Sequence, residues 1–367
     1  MSQGTDIANS AALEDKDFPA SSVPEKVEPA MSKQREKSGP VTMHKVAAAA
    51  GVSPMTVSNT FRYPARVQEE TRQRVREIAA KLGYIPNHAA GNLASGQSRV
   101  IGAVIPSIKN SSFYKYVRGM QDTASEQGYE LVLKLADTLE QETAAIQTFL
   151  GLRVAGIALV GDQHEDVAID LMRKTGVPVV ESWVHDNPFD LAVGYSTVAA
   201  TRAMVDLLLD AGRERIGFIG YAGAVSHRFT ERVPAFQERL VAKGLRSDLL
   251  YLVDEADGFG AGPKALEGLC KLDPKLDAVL CPTDIVAAGV LFECGRRGWK
   301  VPDRLAIAGW GDYEIASETT PGLTTLQPHA YEMGQESMNM IIKRVAGKKP
   351  RGKVVDTGFH IVKRASV

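Results

Sequence analysis

The stretch VTMHKVAAAAGVSPMTVSNTF, residues 41–61, decides the start of the fold. It predicts a short helix, a tight turn at Gly51 and a second helix. Ser53 is a suitable N-cap for the second helix, and Pro54 fits its first position because the missing N–H of proline would have no intrahelical partner there. Two short helices joined by a glycine turn are typical of a helix-turn-helix.

The second helix of this stretch has two distinct faces. Val57 and Phe61 lie four residues apart on one face, which suits packing, whereas Met55 and Asn59 lie four apart on another. A helix with one packed face and one free face suits the major groove of DNA. The stretch therefore indicates a DNA-binding domain.

The charge of the chain is divided unevenly. Between Val41 and Arg99, eight basic residues stand against three acidic ones, a formal charge of +5, although the whole chain carries −1. A basic segment attracts phosphates, and an acidic remainder does not. This division favours one domain that binds DNA and another that does not.

Length and composition set the broad class of the protein. With 367 residues, of which 44% are hydrophobic, the chain is too long for one ordinary core, and we expect two or three domains. The sequence contains no apolar run near the ~20 residues of a membrane span, and its first residues lack the apolar segment of a signal peptide. We therefore expect a cytoplasmic protein without a membrane partner.

The sequence favours neither a metal site nor an enzyme. Cys270, Cys281 and Cys294 lack CxxC spacing and nearby histidines, so we expect free, buried thiols. The chain lacks a GxSxG elbow, an HExxH pair and a P-loop, and its run DGFGAGP departs from GxGxxG. We expect no cofactor and no catalysis.

Residues 1–40 differ from the rest of the chain. They contain Ser, Pro, Glu and Lys with little hydrophobic periodicity, which predicts a disordered extension. The alternative is a later start of translation, since Met31 and Met43 lie closer to the helical stretch.

From Arg99 onward, apolar strand-like runs alternate with helical stretches. A first series begins with VIGAVIP and ends with VPVVES, and a second begins with RIGFIG and ends with LAIAGW. Near-continuous apolar strands separated by amphipathic helices predict parallel sheets covered on both faces. The two series predict two α/β lobes.

The same elements, in the same order, resemble the lactose-repressor family of bacterial transcription regulators. The matching segments are the helix-turn-helix stretch, VQEETRQRVREIAAKLGYIPN, the hinge NHAAGNLASGQS and the strand RVIGAVIPSI, and the resemblance covers nearly everything after Pro40. Within the family, the segments PVVES, FDLAVGY and LFECGRRGWKVPDRLAIAGW most resemble the gluconate-repressor branch.

This resemblance implies a multidomain α and α/β protein. A helix-turn-helix domain would cover residues 41–86, a hinge helix and linker 87–98, and a two-lobed core like that of periplasmic binding proteins 99–367. It also implies a homodimer that binds double-stranded operator DNA, with a small-molecule effector in the cleft between the lobes.

The family's operator-reading positions correspond to Pro54 and Met55. Met55 offers apolar contact, whereas Asn59 stands where the family often carries Arg and can pair with adenine through its amide. For the further candidates within the helix-turn-helix, the alternative is an ordinary helix cap or an exposed residue, and Ser53 is expected to be a cap as well. These further candidates for DNA contact are Thr42, Met43, His44, Ser53, Thr56, Ser58, Asn87, His88 and Ala90.

Residues 87–95 form the predicted hinge. They make only about two and a half helical turns, fewer than an isolated helix needs, so we expect the hinge to fold only on the operator. Leu93 matches the family's leucine that wedges into the minor groove, and packing of hinge on hinge is the alternative. Gly91, where the family has Arg, weakens the helix by about 1 kcal/mol relative to alanine.

The resemblance also places effector-binding residues in the cleft. An aspartate for hydroxyls and an arginine for a carboxylate indicate a sugar acid such as gluconate or a keto-gluconate, although a neutral sugar stays open. Arg232 would replace Arg228 in another branch of the family. The aromatic candidates could instead belong to the core, and Asp284 could cap the helix that follows it. The full set is Phe113, Glu181, Arg228, Arg232, Phe259, Asp284 and Trp310.

We therefore expect a ligand-responsive transcription factor that represses sugar-acid uptake or catabolism. The family contains both inducers and corepressors, so the sign of the response stays open. For the core alone the alternative is a sugar-binding protein of the periplasmic type, which the basic first domain and the missing signal peptide disfavour.

Overall fold

The chain divides into two compact units, Met1–Asn87 and His88–Val367. The structure is a computed structural model that describes residues 41–85, 98–108, 112–223, 227–350 and 352–367. The predicted extension over 1–40 and most of the predicted hinge lie outside the described residues. So do the hinge candidates Asn87, His88, Ala90, Gly91 and Leu93.

The first unit is a small helical domain, called the headpiece below. Its elements are α1 (Met43–Ala50), α2 (Pro54–Arg62), a 3₁₀ turn (Pro64–Arg66) and α3 (Glu69–Leu82). They enclose a core of small and branched side chains. This core consists of Val46, Ala47, Ala50, Val57, Val75 and Ala79.

Local signals produce these helices where the sequence predicts them. Gly51 ends α1 with φ 65° and ψ 35°, a left-handed conformation that glycine adopts without a Cβ clash. Ser53 caps α2, since its Oγ accepts a hydrogen bond from the Thr56 N–H at 3.1 Å. Val57 is fully buried and Phe61 packs against the same core, so the predicted packing face of α2 is confirmed.

The second unit begins with a series of strands and helices that forms the first lobe. The strands are β1 (Val100–Ile105), β2 (Glu130–Leu135), β3 (Gly156–Val160), β4 (Val179–Ser182) and β5 (Leu191–Gly194). The helices are α4 (Phe113–Glu126), α5 (Leu139–Gly151) and α6 (Asp166–Thr175).

A second series forms the second lobe. Its strands are β6 (Ile216–Tyr221), β7 (Leu250–Val253), β8 (Ala278–Leu280), β9 (Ala306–Trp310) and β10 (Thr324–Pro328). Its helical elements are α7 (Thr197–Asp210), α8 (His227–Thr230), α9 (Arg232–Val241), a 3₁₀ segment (Glu255–Gly260), α10 (Ala261–Leu272), α11 (Asp284–Arg296) and α12 (Glu314–Glu318).

The end of the chain contributes to both lobes through α13 (Ala330–Val345), β11 (Val354–Asp356) and β12 (Phe359–Val362). The first sheet has the order β11, β5, β4, β3, β1, β2, and the second has β12, β10, β9, β8, β6, β7. Among the described strands, every pair is parallel except β10 with β12, which is antiparallel, so the predicted parallel sheets are confirmed apart from this edge pair.

Within the described residues, the chain passes between the lobes three times, after β5, after β10 and after β11. These crossings bond to one another. The Thr357 N–H donates to the Gly194 carbonyl at 2.8 Å, and His329 Nδ1 lies 2.8 Å from the Thr357 carbonyl oxygen. The lobes are therefore joined by three chain segments that hydrogen-bond to one another, and these segments are called the crossings below.

The structure bears on two expectations from composition, which concern the cysteines and a membrane-spanning helix. Cys270, Cys281 and Cys294 are all free, but only the last two are buried. Among the helices that the structure describes, none is both long and apolar enough to cross a bilayer.

Candidate DNA-reading helix and effector cleft

Helix α2 exposes the residues that the sequence assigns to base reading. Met55 is 68% exposed, a high value for a large apolar side chain, and Asn59 is partly exposed on the same face. Ser58 and Pro54 are also partly exposed. The helix thus has a packed face at Val57 and a free face at Met55.

The other described headpiece candidates have local roles as well. Ser53 Oγ lies 2.9 Å from Thr56 Oγ1 in addition to its bond with the Thr56 N–H, so both hydroxyls belong to the cap of α2. Thr42 is exposed at the N-cap of α1 without a side-chain cap bond, and His44 is exposed beside it. Met43 is half-buried against the headpiece core.

Two arginines of the second lobe lie among aromatic rings between the lobes. The Arg228 guanidinium carbon is 4.4 Å from the ring centre of Phe229 and 5.3 Å from that of Phe113, which belongs to the first lobe. The Arg232 guanidinium carbon is 3.7 Å from the ring centre of Trp310. The structure therefore brings together four predicted effector residues, Phe113, Arg228, Arg232 and Trp310.

Arg232 is a buried cation. Its side chain is 5% exposed, and it donates from Nη1 to the Pro282 carbonyl at 3.0 Å. Burial, with the nearby charge of Arg228, lowers the pKa of Arg232 to about 10, so it remains charged at neutral pH. Within the described residues no carboxylate pairs with Arg232, and its Nε has no hydrogen-bond partner. A buried charge without a counter-ion is costly and favours an anionic ligand.

A cavity of about 90 Å³ opens beside Arg228. Asp162 and Trp183 contribute its wall from the first lobe, and Tyr195 contributes from the first crossing. Asp186, Glu231 and several neighbours complete the lining. Small-molecule sites usually measure about 300–1,000 Å³, so a ligand of six carbons requires the lobes or side chains to shift.

Aromatic contacts fix the walls of this cavity. The Trp183 ring packs edge-on against Phe113 and Tyr116, with ring centres 4.9 and 5.0 Å apart. The Trp310 Nε1–H donates to the Tyr195 hydroxyl at 3.1 Å. The first group of rings lies within the first lobe, and the second contact links strand β9 to the first crossing.

Two hydrogen bonds join the lobes directly. Ser112 Oγ donates to the Gly311 carbonyl and Lys115 Nζ to the Asp312 carbonyl, both at 3.2 Å. The Asp312 carboxylate is itself held by Arg364 at 2.8 Å and by Gln327 at 2.6 Å. The start of α4 is therefore fastened to a rigid loop after β9.

Asp284 is fully buried but bonds to the protein. One carboxylate oxygen accepts from the Tyr313 N–H at 2.7 Å and the other from Thr325 Oγ1 at 2.5 Å. Burial raises the pKa of this carboxyl to about 7. The alternative that Asp284 caps α11 is wrong, because the cap is Thr283, whose side chain accepts from the Val286 N–H.

Two further candidates lie apart from the arginines. Phe259 is 41% exposed and pairs with Phe292, with ring centres 6.0 Å apart. Glu181 is buried in β4 beside His164. Of the predicted effector residues, only Arg228 is among the described residues that line the cavity; the others, Phe113, Glu181, Arg232, Phe259, Asp284 and Trp310, are not.

The sequence did not predict several of the described residues that line the cavity, among them Asp162, Trp183, Asp186, Tyr195 and Glu231. A signal existed for two of them. Trp183 directly follows β4 and Tyr195 directly follows β5. Residues beyond the carboxyl ends of parallel strands are where α/β proteins bind ligands.

Comparison with known proteins agrees with this architecture. Residues 42–87 match the model described as bacterial regulatory proteins, lacI family, and residues 205–367 match a periplasmic binding protein-like domain. The HTH-type transcriptional regulator GntR of Pseudomonas aeruginosa is 30% identical, with 91% of this chain and 98% of that protein covered. The regulator GntR of Escherichia coli K12 is 29% identical, with 90% and 100% covered.

Solved structures show the same arrangement. A LacI-family transcriptional regulator from Silicibacter pomeroyi matches with a TM-score of 0.81 and 28% identity, covering 89% of this chain and 99% of that one. The lac repressor dimer bound to operator and the anti-inducer ONPF matches with a TM-score of 0.77 and 25% identity, with the same coverage. These relatives are transcriptional regulators rather than enzymes. The chain belongs to the LacI family of DNA-binding transcriptional regulators, with a helix-turn-helix headpiece and a two-lobed effector-binding core.

Proposed function

We propose that this regulator represses genes for the uptake or breakdown of sugar acids, and that gluconate or a keto-gluconate is its effector. Its similarity to the regulators named GntR and IdnR supports this branch of the family. We also propose the functional boundaries 41–86 for the headpiece, 87–98 for the hinge and 99–367 for the effector-binding core.

Arg232 is the observation that carries the choice of an acid. It is a buried guanidinium without a carboxylate partner among the described residues, and Arg228 lies beside the cavity close to it. A ligand carboxylate would offset the charge of Arg232 through short, charge-assisted hydrogen bonds. Carboxylates of the lining, such as Asp162 and Glu231, are suited to accept hydrogen bonds from ligand hydroxyls.

The effector would act by changing how the lobes are placed. The cavity is too small for a sugar acid as it stands, so binding would alter the contacts of Ser112 and Lys115 with the second lobe. A shift of this kind couples ligand to DNA affinity by about 1 to 3 kcal/mol in typical allosteric proteins. On DNA, Met55 and Asn59 would read bases and Leu93 would wedge into the minor groove.

We further propose that a second copy of the chain covers the edge of the first sheet. Strand β2 is an edge strand with Val132, Leu133 and Leu135 substantially exposed, the last to 56%. An exposed apolar edge is a ready surface for association. A two-fold dimer would present two recognition helices to the two halves of an operator.

Calorimetry on the full chain tests the effector. D-gluconate should bind much more tightly than D-glucose, and Arg228→Ala should remove most of that preference, because loss of a buried charged hydrogen bond costs roughly 2 to 5 kcal/mol. Arg232→Ala should have a comparable effect. Arg118→Ala removes an exposed arginine of the first lobe and serves as the control. Equal binding of acid and neutral sugar would refute the sugar-acid proposal.

A further inference from the structure

A buried ionisable cluster lies next to the first-lobe wall of the cavity. It consists of Glu142 on α5, His164 after β3 and Glu181 in β4. His164 Nδ1 lies 2.6 Å from a carboxylate oxygen of Glu142, and Nε2 lies 3.1 Å from one of Glu181. The His164 side chain is 1% exposed. The imidazole is therefore enclosed between two carboxylates.

The geometry determines the protonation of this imidazole. A neutral imidazole has only one N–H, and an ionised carboxylate can only accept hydrogen bonds. Two nitrogen-to-carboxylate hydrogen bonds therefore require the doubly protonated ring. Burial alone would lower the pKa of His164, but the hydrogen bonds and charges of Glu142 and Glu181 outweigh it and raise that pKa to about 9.

The charged groups around the ring come from every packed element. Glu142 faces it from α5 and Glu181 from β4, while Asp162 and Glu165 lie on its own segment. Glu165 turns away, since its carboxylate accepts from Thr143 Oγ1 at 2.7 Å. Glu142 and Glu181 are thus the two carboxylates that hold the proton.

The cluster fastens the two segments that form the first-lobe wall. Asp162 lies two residues before His164, and Trp183 lies two residues after Glu181, and both line the cavity. The Gly161 N–H also donates to the Ser182 carbonyl at 2.9 Å, which ties the segments to each other. Trp183 has a φ of 60°, a conformation that needs support from its surroundings.

We propose that doubly protonated His164 is a positioning residue of the effector site, and that its two hydrogen bonds hold Asp162 and Trp183 in the cavity wall. Loss of the ring proton leaves one carboxylate facing a bare nitrogen, which loosens both segments. Effector affinity then falls as pH rises through the titration of His164. That consequence rests on the proposed effector site, whereas the placement of Trp183 does not.

Trp183 fluorescence in the ligand-free full chain tests the placement. Its emission, taken as the difference between the parent and Trp183→Phe, should change in one step near pH 9. His164→Gln should abolish the step, and Glu142→Gln should move it to lower pH because one stabilising carboxylate is lost. Glu165→Gln is the matched control, as its carboxylate bonds to Thr143 instead, and it should leave the midpoint unchanged.

The contrary outcomes are equally definite. No step in the parent, or a step that persists in His164→Gln, would overturn the proposal. Should His164→Gln fail to fold, Glu142→Gln decides alone, since an unmoved midpoint contradicts the role of the cluster.

Calorimetry with D-gluconate provides the second arm. The parent should bind it at least roughly fivefold more weakly above the step than at pH 7, in the range of ordinary site-to-site coupling. His164→Gln should bind it weakly at both values. If the parent does not bind D-gluconate at pH 7, the proposed effector is wrong. The Trp183 fluorescence step then still tests whether the His164 cluster positions Trp183.

Discussion

Arg232 and Asp284 show how burial determines what a charged residue does. Both were expected to contact the effector, and both are buried in the second lobe. Arg232 has no carboxylate partner in the described chain, which suits an incoming anion. Asp284 instead has both oxygens occupied by the protein donors Tyr313 N–H and Thr325 Oγ1. Its present contacts are structural.

Asp284 should make the free energy of unfolding depend on pH. Its folded pKa of about 7 exceeds the ordinary value of 3.8, so its contribution is fully present below pH 3.8 and is lost as pH rises through 7. Asp284→Asn should remove this part of the pH slope. The variant should keep both contacts, because the amide oxygen can accept from the Tyr313 N–H while the amide N–H donates to the Thr325 hydroxyl. Denaturant unfolding of both proteins at pH 5 and pH 8 measures the difference, and equal slopes would contradict it.

Met55 should set base preference at the operator. Its side chain is 68% exposed on α2 and offers only apolar contact. Met55→Gln introduces an amide that can pair with adenine, worth about 1 to 3 kcal/mol of discrimination for a good bidentate contact. In-vitro selection of binding sites should therefore return a different consensus. Arg118→Ala, far from the headpiece in sequence, should return the parental one.

Helices α1 and α2 begin with different capping chemistry although the sequence offers a hydroxyl to each. Ser53 Oγ bonds to the Thr56 N–H, whereas Thr42 has extended backbone angles but no side-chain cap bond. The proline after Ser53 fixes φ where α2 starts. The turn of the helix-turn-helix is thus stabilised mainly on the side of α2.

Ser53→Ala should therefore destabilise the headpiece by about 1 kcal/mol, the usual effect of removing a cap. Thr42→Ala is the matched control, and its effect should be much smaller because no cap bond is lost. Amide hydrogen exchange in α2 reports the local opening free energy. Equal effects of the two substitutions would show that the Ser53 cap contributes little.

In the whole effector-binding unit, the lobes are held by the three crossings and by a few contacts at the cleft. The crossings bond to each other through Thr357. Ser112 and Lys115 add hydrogen bonds from α4 to the loop after β9. Both kinds of contact therefore hold the two lobes together.

Loss of the two cleft contacts should open the lobes. Each such hydrogen bond contributes about 0.5 to 1.5 kcal/mol, so Ser112→Ala with Lys115→Ala should shift the ligand-free protein toward an open form. Small-angle scattering should show a larger radius of gyration. Lys174→Ala, an exposed lysine on α6, should leave the radius unchanged. An unchanged radius in the double variant would mean that the crossings alone hold the lobes.

Local spacing was enough to predict the headpiece and the order of the lobes. The turn at Gly51, the cap at Ser53 and the packing of Val57 depend on residues a few positions apart, so their sequence contains the information. The family resemblance likewise identified Arg228 and Arg232 as cleft residues. The exchange of β11 and β12 between sheets left no comparable local signal, because it depends on pairing with strands far away in the chain.

The tertiary structure alone decided which candidates meet. Phe113 contacts Arg228 across more than a hundred residues of chain, and Trp310 reaches Arg232, because the order of the strands brings their carboxyl ends together. Glu181 was also predicted to bind the effector, yet the fold places it beside His164. A periodic pattern shows which side chains are buried, but their partners follow from sheet order and register, which only the folded chain specifies.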